Sequence, residues 1–210
     1  MDSLRKQFAS AFHRVQSKVK LLDALERGVL EESGDKALRI VQKIRSSIAI
    51  QKVEWTVDMA IKYFKFSGPT IIFSEFIEPL NEIGRLLKGQ GYSSVKAIGK
   101  GMKMAEREWN IKDFKDGKHE FLLATFGAMS EGENLQYARN IIFNDLSWQP
   151  LVIKQATRRV WRIGQANECH VTQMLCSADA TVQRIVSDKQ EMVGKFEEFL
   201  VDIKQENGYI

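Results

Sequence analysis

The chain has 210 residues, of which 44% are hydrophobic and 10% aromatic, so it holds enough apolar side chains for a sizeable core. The net charge is +4, and residues 1–20 carry all of that excess. The two cysteines form no CxxC pair and the three histidines are scattered, which excludes a disulfide framework and predicts no metal site. No membrane span or signal peptide is predicted. We expect an intracellular protein in a reducing compartment, the cytoplasm, nucleoid or nucleus, without a membrane partner.

The N-terminal segment is basic and nearly free of acidic residues, as mitochondrial transit peptides are. Its apolar residues Phe8, Phe12, Val15 and Val19 step by four and three, however, which favours a helix that docks on another helix over a targeting signal. A second helix is predicted over 36–50. We therefore expect a basic helical extension over residues 1–50, made of docking or protruding helices, ahead of a main domain over residues 51–210.

The main domain is predicted to alternate helices and strands. A helix over 53–66 ends at SGP, and the short β-branched run TIIFS, residues 70–74, then predicts a buried strand. Further segments alternate to about residue 201: helices at 78–91, 104–114, 152–160 and 179–201, and strands at 93–98, 120–125, 140–145 and 170–175. This order predicts an α/β fold with a mainly parallel sheet. The loops after its first, third and fourth strands should meet at one edge, where function is expected.

The stretch QATRRVWRIGQ, Gln155 to Gln165, is rich in arginine. Arg159 and Arg162 share one helix face, and the planar guanidinium matches phosphate oxygens two at a time, so the pair predicts phosphate recognition. A solvated basic helix face is the alternative. Gly164 predicts the end of the helix, which would leave Arg162 in the last turn, near the strand-end loops.

These residues carry a family resemblance. The run from Glu120 resembles the C-terminal half of superfamily-two helicases, specifically the Swi/Snf-type DNA translocases, and the similarity extends over about residues 51–190. It rests on GENL at 132–135, DLSWQP at 145–150, the pattern Q-A-x-x-R-x-x-R-I-G-Q at 155–165 and TIIFSEF at 70–76.

The resemblance implies a three-layer RecA-like lobe in a DNA-dependent ATPase. Arg162 would be the arginine finger on the γ-phosphate, Arg159 its companion and Gln155 a polar organiser at the interface between two lobes. DNA-backbone contacts would come from Ser74, Lys100 and Thr125, with Asn134 shaping its loop, whereas Asp145 and Trp148 would belong to the interface between lobes.

The other half of such a motor is not found in this sequence. No G-x-x-x-x-G-K-[ST] loop and no acidic box for Mg²⁺ occur. ATP and Mg²⁺ are therefore expected only together with a P-loop lobe, on another chain or on a longer protein, and we do not expect this chain to hydrolyse ATP alone. We predict a second motor lobe whose partners are DNA and a protein carrying the first lobe.

Two other functional interpretations compete with that of a motor lobe. Relatives usually have Ala-Gly-Gly where this chain has Ala128-Met129-Ser130, which would suit a non-catalytic DNA-binding adaptor or a decoy for a partner translocase. The other reading is a serine hydrolase, because Ser130, Asp145 and His170 follow in triad order.

Overall fold

The computed structural model describes residues 35–129, 134–145, 147, 150–162, 164–165 and 167–180. Residues 46–175 belong to one compact unit, and the described residues 35–45 and 176–180 belong to a second. The predicted helix near the N-terminus and most of the predicted helix after residue 179 lie outside the described residues.

The described secondary structure follows the predicted order, with ends shifted by a few residues. The elements are α1 Asp35–Gln51, α2 Val53–Ser67, β1 Thr70–Ser74, α3 Ile77–Gly89, β2 Ser94–Ala97, α4 Met104–Lys115, β3 Phe121–Thr125, a 3-10 turn Phe126–Met129, β4 Asn140–Phe143, α5 Pro150–Val160 and β5 His170–Gln173. Gly68 ends α2 with φ at 99°, a value that favours glycine, and Pro150 begins α5, where its missing N–H costs no helical hydrogen bond.

The five strands form one parallel sheet in the order β2-β3-β1-β4-β5. Ser74 lies beside Thr125, and Phe73 lies beside Phe143, so β1, β3 and β4 end side by side. The loops that follow these three strands therefore leave from one edge of the sheet, as predicted. This edge is called the carboxyl edge below.

Helices cover both faces of the sheet because alternate strand residues point to opposite sides. On one face, strand side chains such as Ile72 and Leu123 are buried in a cluster with residues of α2 and α3. On the other, Ile71 and Leu122 are buried with residues of α4 and α5. The predicted three-layer α/β fold is confirmed. No helix among the described residues is long and apolar enough to cross a membrane.

Three phenyl rings stack beneath the carboxyl edge. Phe73 of β1 lies 5.5 Å from Phe143 of β4 and 5.6 Å from Phe126 of the 3-10 turn, measured between ring centroids. Phe126 and Phe143 are 5.8 Å apart, and their planes differ by 15°. The stack joins the ends of two strands to the turn after a third, so it supports all three edge loops from below.

Replacing Phe143 with alanine should lower the free energy of unfolding by about 3–5 kcal/mol, because Phe143 is fully buried and its loss leaves a cavity in this stack. The matched control is Phe66→Ala, since Phe66 is 79% exposed and its loss should cost less than about 1 kcal/mol. Urea unfolding followed by circular dichroism measures both. Equal destabilisation by the two changes would contradict this view of the stack.

Candidate functional site

The carboxyl edge contains a buried carboxylate. Asp145 follows β4 and is 4% exposed. Its Oδ2 accepts a hydrogen bond from the hydroxyl of Ser74, and its Oδ1 accepts one from the backbone N–H of Glu75 at 2.9 Å. The Ser74 oxygen in turn accepts the N–H of Phe76 at 3.1 Å. Asp145 thus fixes the loop after β1 to the loop after β4.

A second group of buried polar residues adjoins Asp145. The amide of Asn144 donates to the carbonyl of Ala49 at 3.0 Å and accepts the hydroxyl of Thr56 at 2.7 Å. Lys52, which is 1% exposed, donates from Nζ to the carbonyl of Met174 at 2.9 Å. These bonds join the segment between α1 and α2 to the ends of β4 and β5.

Burial raises the pKa of the Asp145 carboxyl above its ordinary value. The hydrogen bonds from Ser74, Glu75 and Asn144 and the positive charge of Lys52 oppose this rise without cancelling it. Ionising this carboxyl group therefore costs desolvation free energy, and its hydrogen-bond partners and Lys52 reduce that cost.

The other predicted hydroxyl at this edge also has a structural partner. Thr125 is 8% exposed, and its Oγ1 accepts the backbone N–H of Gly99 at 2.9 Å. A Cβ on Gly99 would lie 3.2 Å from the N of Ala128, so a larger residue there would press on the backbone of the 3-10 turn. Lys100 follows directly and is exposed. Thr125 therefore places Lys100 at the edge, and Ser74 and Thr125 themselves offer little surface to a ligand. Their direct contact with nucleic acid stays a prediction.

The arginines lie away from the carboxyl edge. Helix α5 starts at that edge and runs antiparallel to the strands for 11 residues, about 16 Å. Its end lies near the residues that lead into β4, since the carbonyl of Arg159 accepts the N–H of Leu135 at 3.0 Å. These residues lie near the start of the sheet, because the backbone N–H of Arg139 donates to the carbonyl of Pro69, just before β1. The prediction that Arg162 lies in the last helical turn, near the strand-end loops, is wrong. The helix ends at Val160. Because it connects two parallel strands, it runs back from the carboxyl edge to the edge at which the strands start.

The arginine segment, residues 158–162 and 164–165, is fastened to the loop before β4, residues 134–139. The carbonyl of Arg162 accepts hydrogen bonds from the Gln136 side chain at 3.2 Å and from the Gln165 backbone at 3.0 Å. Gln165 also donates from Nε2 to the carbonyl of Gln136 at 3.0 Å. Asn134 accepts the N–H of Gln136 at 3.1 Å, so it shapes the loop that holds the arginine segment. Its contribution to nucleic-acid binding stays a prediction.

The predicted catalytic side chains differ in exposure. Arg162 is exposed, and within the described part of the chain its guanidinium forms no ion pair. Arg159 is half-buried, whereas Gln155 and Arg158 are exposed on α5. The structure therefore presents Arg162 to a ligand from outside with its main chain held and its charge available.

Two predicted positions fall on residues that the structure does not describe. Trp148, the predicted interface residue, lies outside the described residues, and so does Ser130 of the hydrolase alternative. The rest of that triad is excluded by geometry. His170 pairs with Asn140 at the start of β4, and Asp145 lies five residues further along, about 16 Å away along the strand direction.

No group of three or more histidine, cysteine or acidic residues that could hold a metal ion is found among the described residues. Within the described residues, the exposed guanidinium of Arg162 has no carboxylate partner, and such a group fits the phosphate groups of a nucleotide.

Comparison with known proteins identifies the class to which this fold and these motifs belong. The helicase conserved C-terminal domain matches residues 51–164, which is more than half of the chain, and the chain belongs to this family. The resemblance to a C-terminal helicase lobe noted in the sequence is confirmed. The fold is shared with solved Swi2/Snf2 ATPase cores.

Particular relatives are similar over different lengths. The ATP-dependent helicase YqhH of Bacillus subtilis, itself uncharacterised, is 29% identical over 194 residues, which cover 90% of this chain and 34% of that protein. The mouse DNA excision repair protein ERCC-6-like is 34% identical over 50% of this chain and 9% of its own length. The Swi2/Snf2 ATPase core of Sulfolobus solfataricus, solved with double-stranded DNA, shares the fold with a TM-score of 0.59 and 20% identity, covering 73% of this chain and 36% of that one. The chain thus spans about a third of the length of the Bacillus relative.

Several residues that hold the site together were not predicted from the sequence. Lys52 and Asn144 stand among apolar neighbours, and only the contacts between α2, β4 and β5 show that their polar groups are buried together. Gln136 gave no signal either, because its partner Arg162 lies 26 residues away in the sequence.

Replacing Ser74 with alanine should lower the free energy of unfolding by about 1–3 kcal/mol at neutral pH, because it removes a donor from a buried carboxylate. It should also raise the pKa of Asp145 further. A raised carboxyl pKa gives stability that is fully present below the unfolded value, about 3.9, and is lost as the pH rises through the folded value. The deficit of the variant should therefore shrink as the pH is lowered toward 3.9.

Urea unfolding across this pH range measures the deficit. Ser94→Ala is the matched control, since Ser94 is half-buried on the edge strand β2. A deficit that does not change with pH would mean that Ser74 does not act through the Asp145 charge.

Proposed function

We propose that this lobe is the second motor lobe of a Swi/Snf-like DNA-dependent ATPase, and that Arg162 is the arginine finger that it supplies. The observation that carries the proposal is the exposure of Arg162 on a chain segment whose backbone is held by Gln136 and Gln165. A positioned cation of this kind can stabilise the charge that develops on a transferred phosphoryl group. Arg159 and Gln155 act beside it, the first as a phosphate-side companion and the second at the interface with the first lobe.

DNA binds at a different place on the lobe. Lys100 stands exposed at the carboxyl edge, on a loop that Thr125 and Gly99 hold in place. A lysine in such a position offers a contact to the phosphate backbone, which fixes a protein on DNA without reading its sequence. A protein similar in fold was solved with double-stranded DNA. Asp145 and Ser74 support this edge from within, and Trp148 packs against the first lobe.

The lobe needs a partner to turn over ATP. The P-loop and the acidic ligands of Mg²⁺ come from a first lobe, carried by another polypeptide or by another part of a longer protein. The relatives named as ATP-dependent helicases are longer than this chain and are consistent with this arrangement.

A non-catalytic adaptor or decoy is the second candidate. It is favoured by the 3-10 turn Phe126–Met129, in which Met129 stands at the first of the two positions where relatives usually have glycine, so the loop lacks the conformational freedom of that residue. Such a protein would occupy a partner's first lobe without accelerating its chemistry.

Arg162→Ala should abolish most of the ATP turnover that this chain restores to a first lobe. The lobe for this assay is the Bacillus subtilis relative cut to remove the part that matches this chain. Adding the wild-type chain and duplex DNA should raise turnover, and the variant should lose roughly 10³- to 10⁵-fold in kcat. Arg158→Ala is the matched control, because it removes another exposed arginine of the arginine segment and should leave turnover within about twofold.

Restored turnover that survives Arg162→Ala would reject the finger. No restored turnover, together with inhibition of the intact relative by the wild-type chain, would favour the decoy.

Lys100→Ala should weaken binding to duplex DNA severalfold and reduce the slope of log affinity against log salt by about 1, because one phosphate contact is lost. Lys88→Ala is the control of equal charge, since Lys88 is exposed in the last turn of α3, away from the carboxyl edge. Fluorescence anisotropy with a labelled duplex at several salt concentrations measures both. Equal effects of the two lysines would place DNA elsewhere on the surface.

A further inference from the structure

Two glutamines hold the main chain of the arginine segment reciprocally. Gln136 donates from its side chain to the carbonyl of Arg162, and Gln165 donates from its side chain to the carbonyl of Gln136. The Gln165 side chain also lies 3.4 Å from the carbonyl of Val160 and 3.5 Å from that of Ala138. We call this pair of side chains with the carbonyls that they bond the amide clip.

The orientation of both amides follows from their partners. A carbonyl oxygen only accepts, so the atom of each side chain that faces a carbonyl must be nitrogen. The oxygens then face donors: Oε1 of Gln136 accepts the side chain of Asn134 at 2.8 Å, and Oε1 of Gln165 accepts the N–H of Asn167 at 3.1 Å. Every polar atom of the two side chains has a suitable partner, which gives the clip one arrangement.

The amide clip bonds the backbone carbonyl of Arg162, which lies beyond the end of helix α5. Helix α5 ends at Val160, so the carbonyl of Arg162 has no helical partner and needs donors from elsewhere. Its two donors come from separate parts of the chain, the Gln136 side chain and the Gln165 backbone. Gly164 makes this possible, because its φ of 97° is a value that residues with a Cβ rarely adopt.

We propose that Gln136 and Gln165 are positioning residues for Arg162. This rests on the proposed function of Arg162 as the arginine finger. The long arginine side chain is exposed, so its reach is set by where its backbone is held. A shift of about 1 Å in a catalytic group can cost on the order of 100-fold in rate, which is the reason that a fixed backbone matters here. Neither glutamine needs to touch a nucleotide to act in this way.

The first test uses the full chain alone and needs no catalysis. Gln136→Glu keeps the shape and the acceptor for Asn134 but cannot donate to the Arg162 carbonyl, and Gln136→Met removes both bonds. Each variant should speed hydrogen exchange at the backbone N–H of Gln165 by roughly five- to tenfold, since the neighbouring bond to Arg162 then opens more often. Gln90→Met, at an exposed glutamine that follows α3, is the matched control and should change nothing at this N–H.

The second test uses ATP turnover restored to the truncated Bacillus subtilis relative. Gln136→Met should lower kcat ten- to a hundredfold and leave KM for ATP within about twofold, because a misplaced finger weakens the transition state and not the binding of nucleotide. Combined with Arg162→Ala, it should add nothing further, since both changes remove the same contribution.

Different failures have different meanings. Unchanged exchange at Gln165 would overturn the clip. An effect of Gln136→Met that persists fully in the Arg162→Ala background, or a full Arg162→Ala loss with normal turnover in Gln136→Met, would overturn positioning and leave the finger intact. If Arg162→Ala itself has no effect, the proposed function and the positioning role are both rejected.

Discussion

The direction of helix α5 is the constraint on which the functional layout of the lobe depends. Strands β4 and β5 are parallel, so the helix between them must run from the end of one strand back toward the start of the next. It therefore separates Lys100, at the carboxyl edge, from the arginine segment, near the start of β4. One rigid layer of sheet thus carries two chemically different surfaces, and each is attached to it by its own set of hydrogen bonds.

The two surfaces are attached in physically different ways. The carboxyl edge is held by a buried carboxyl group, that of Asp145, whose desolvation is opposed by Ser74, Glu75 and the charge of Lys52. Such an arrangement is sensitive to the loss of any one partner, because the charge that remains has no water to replace it. The arginine segment is held by neutral amides near the surface, where the loss of one bond costs less. We therefore expect substitutions in the arginine segment to destabilise the lobe less than substitutions at the carboxyl edge do.

The sequence predicted those features that repeat locally along the chain. Strand TIIFS and the alternation of helices and strands follow from periodicity, and the meeting of three strand ends at one edge follows from parallel pairing. The burial of Ser74 and Thr125 was not predictable, since a hydroxyl after a strand can face a ligand or a neighbouring loop equally well. The position of Arg162 does not follow from the local pattern, because glycine at 164 indicates a helix end only to within a few residues and α5 already ends at Val160. The antiparallel course of α5, which moves Arg162 away from the carboxyl edge, depends on the pairing of β4 with β5.

On the proposed function, the exposure of Arg162 decides where its catalytic effect arises. A solvated guanidinium gains little from a phosphate nearby, since water screens the charge strongly. The same guanidinium becomes effective when a second surface excludes water around it. The lobe therefore has no desolvation cost at Arg162 while it is alone, and the amide clip keeps the arginine in place until a partner closes over it. On this proposal, the rate enhancement would arise at the closed interface, to which this chain would contribute a positioned charge and the partner the low dielectric environment.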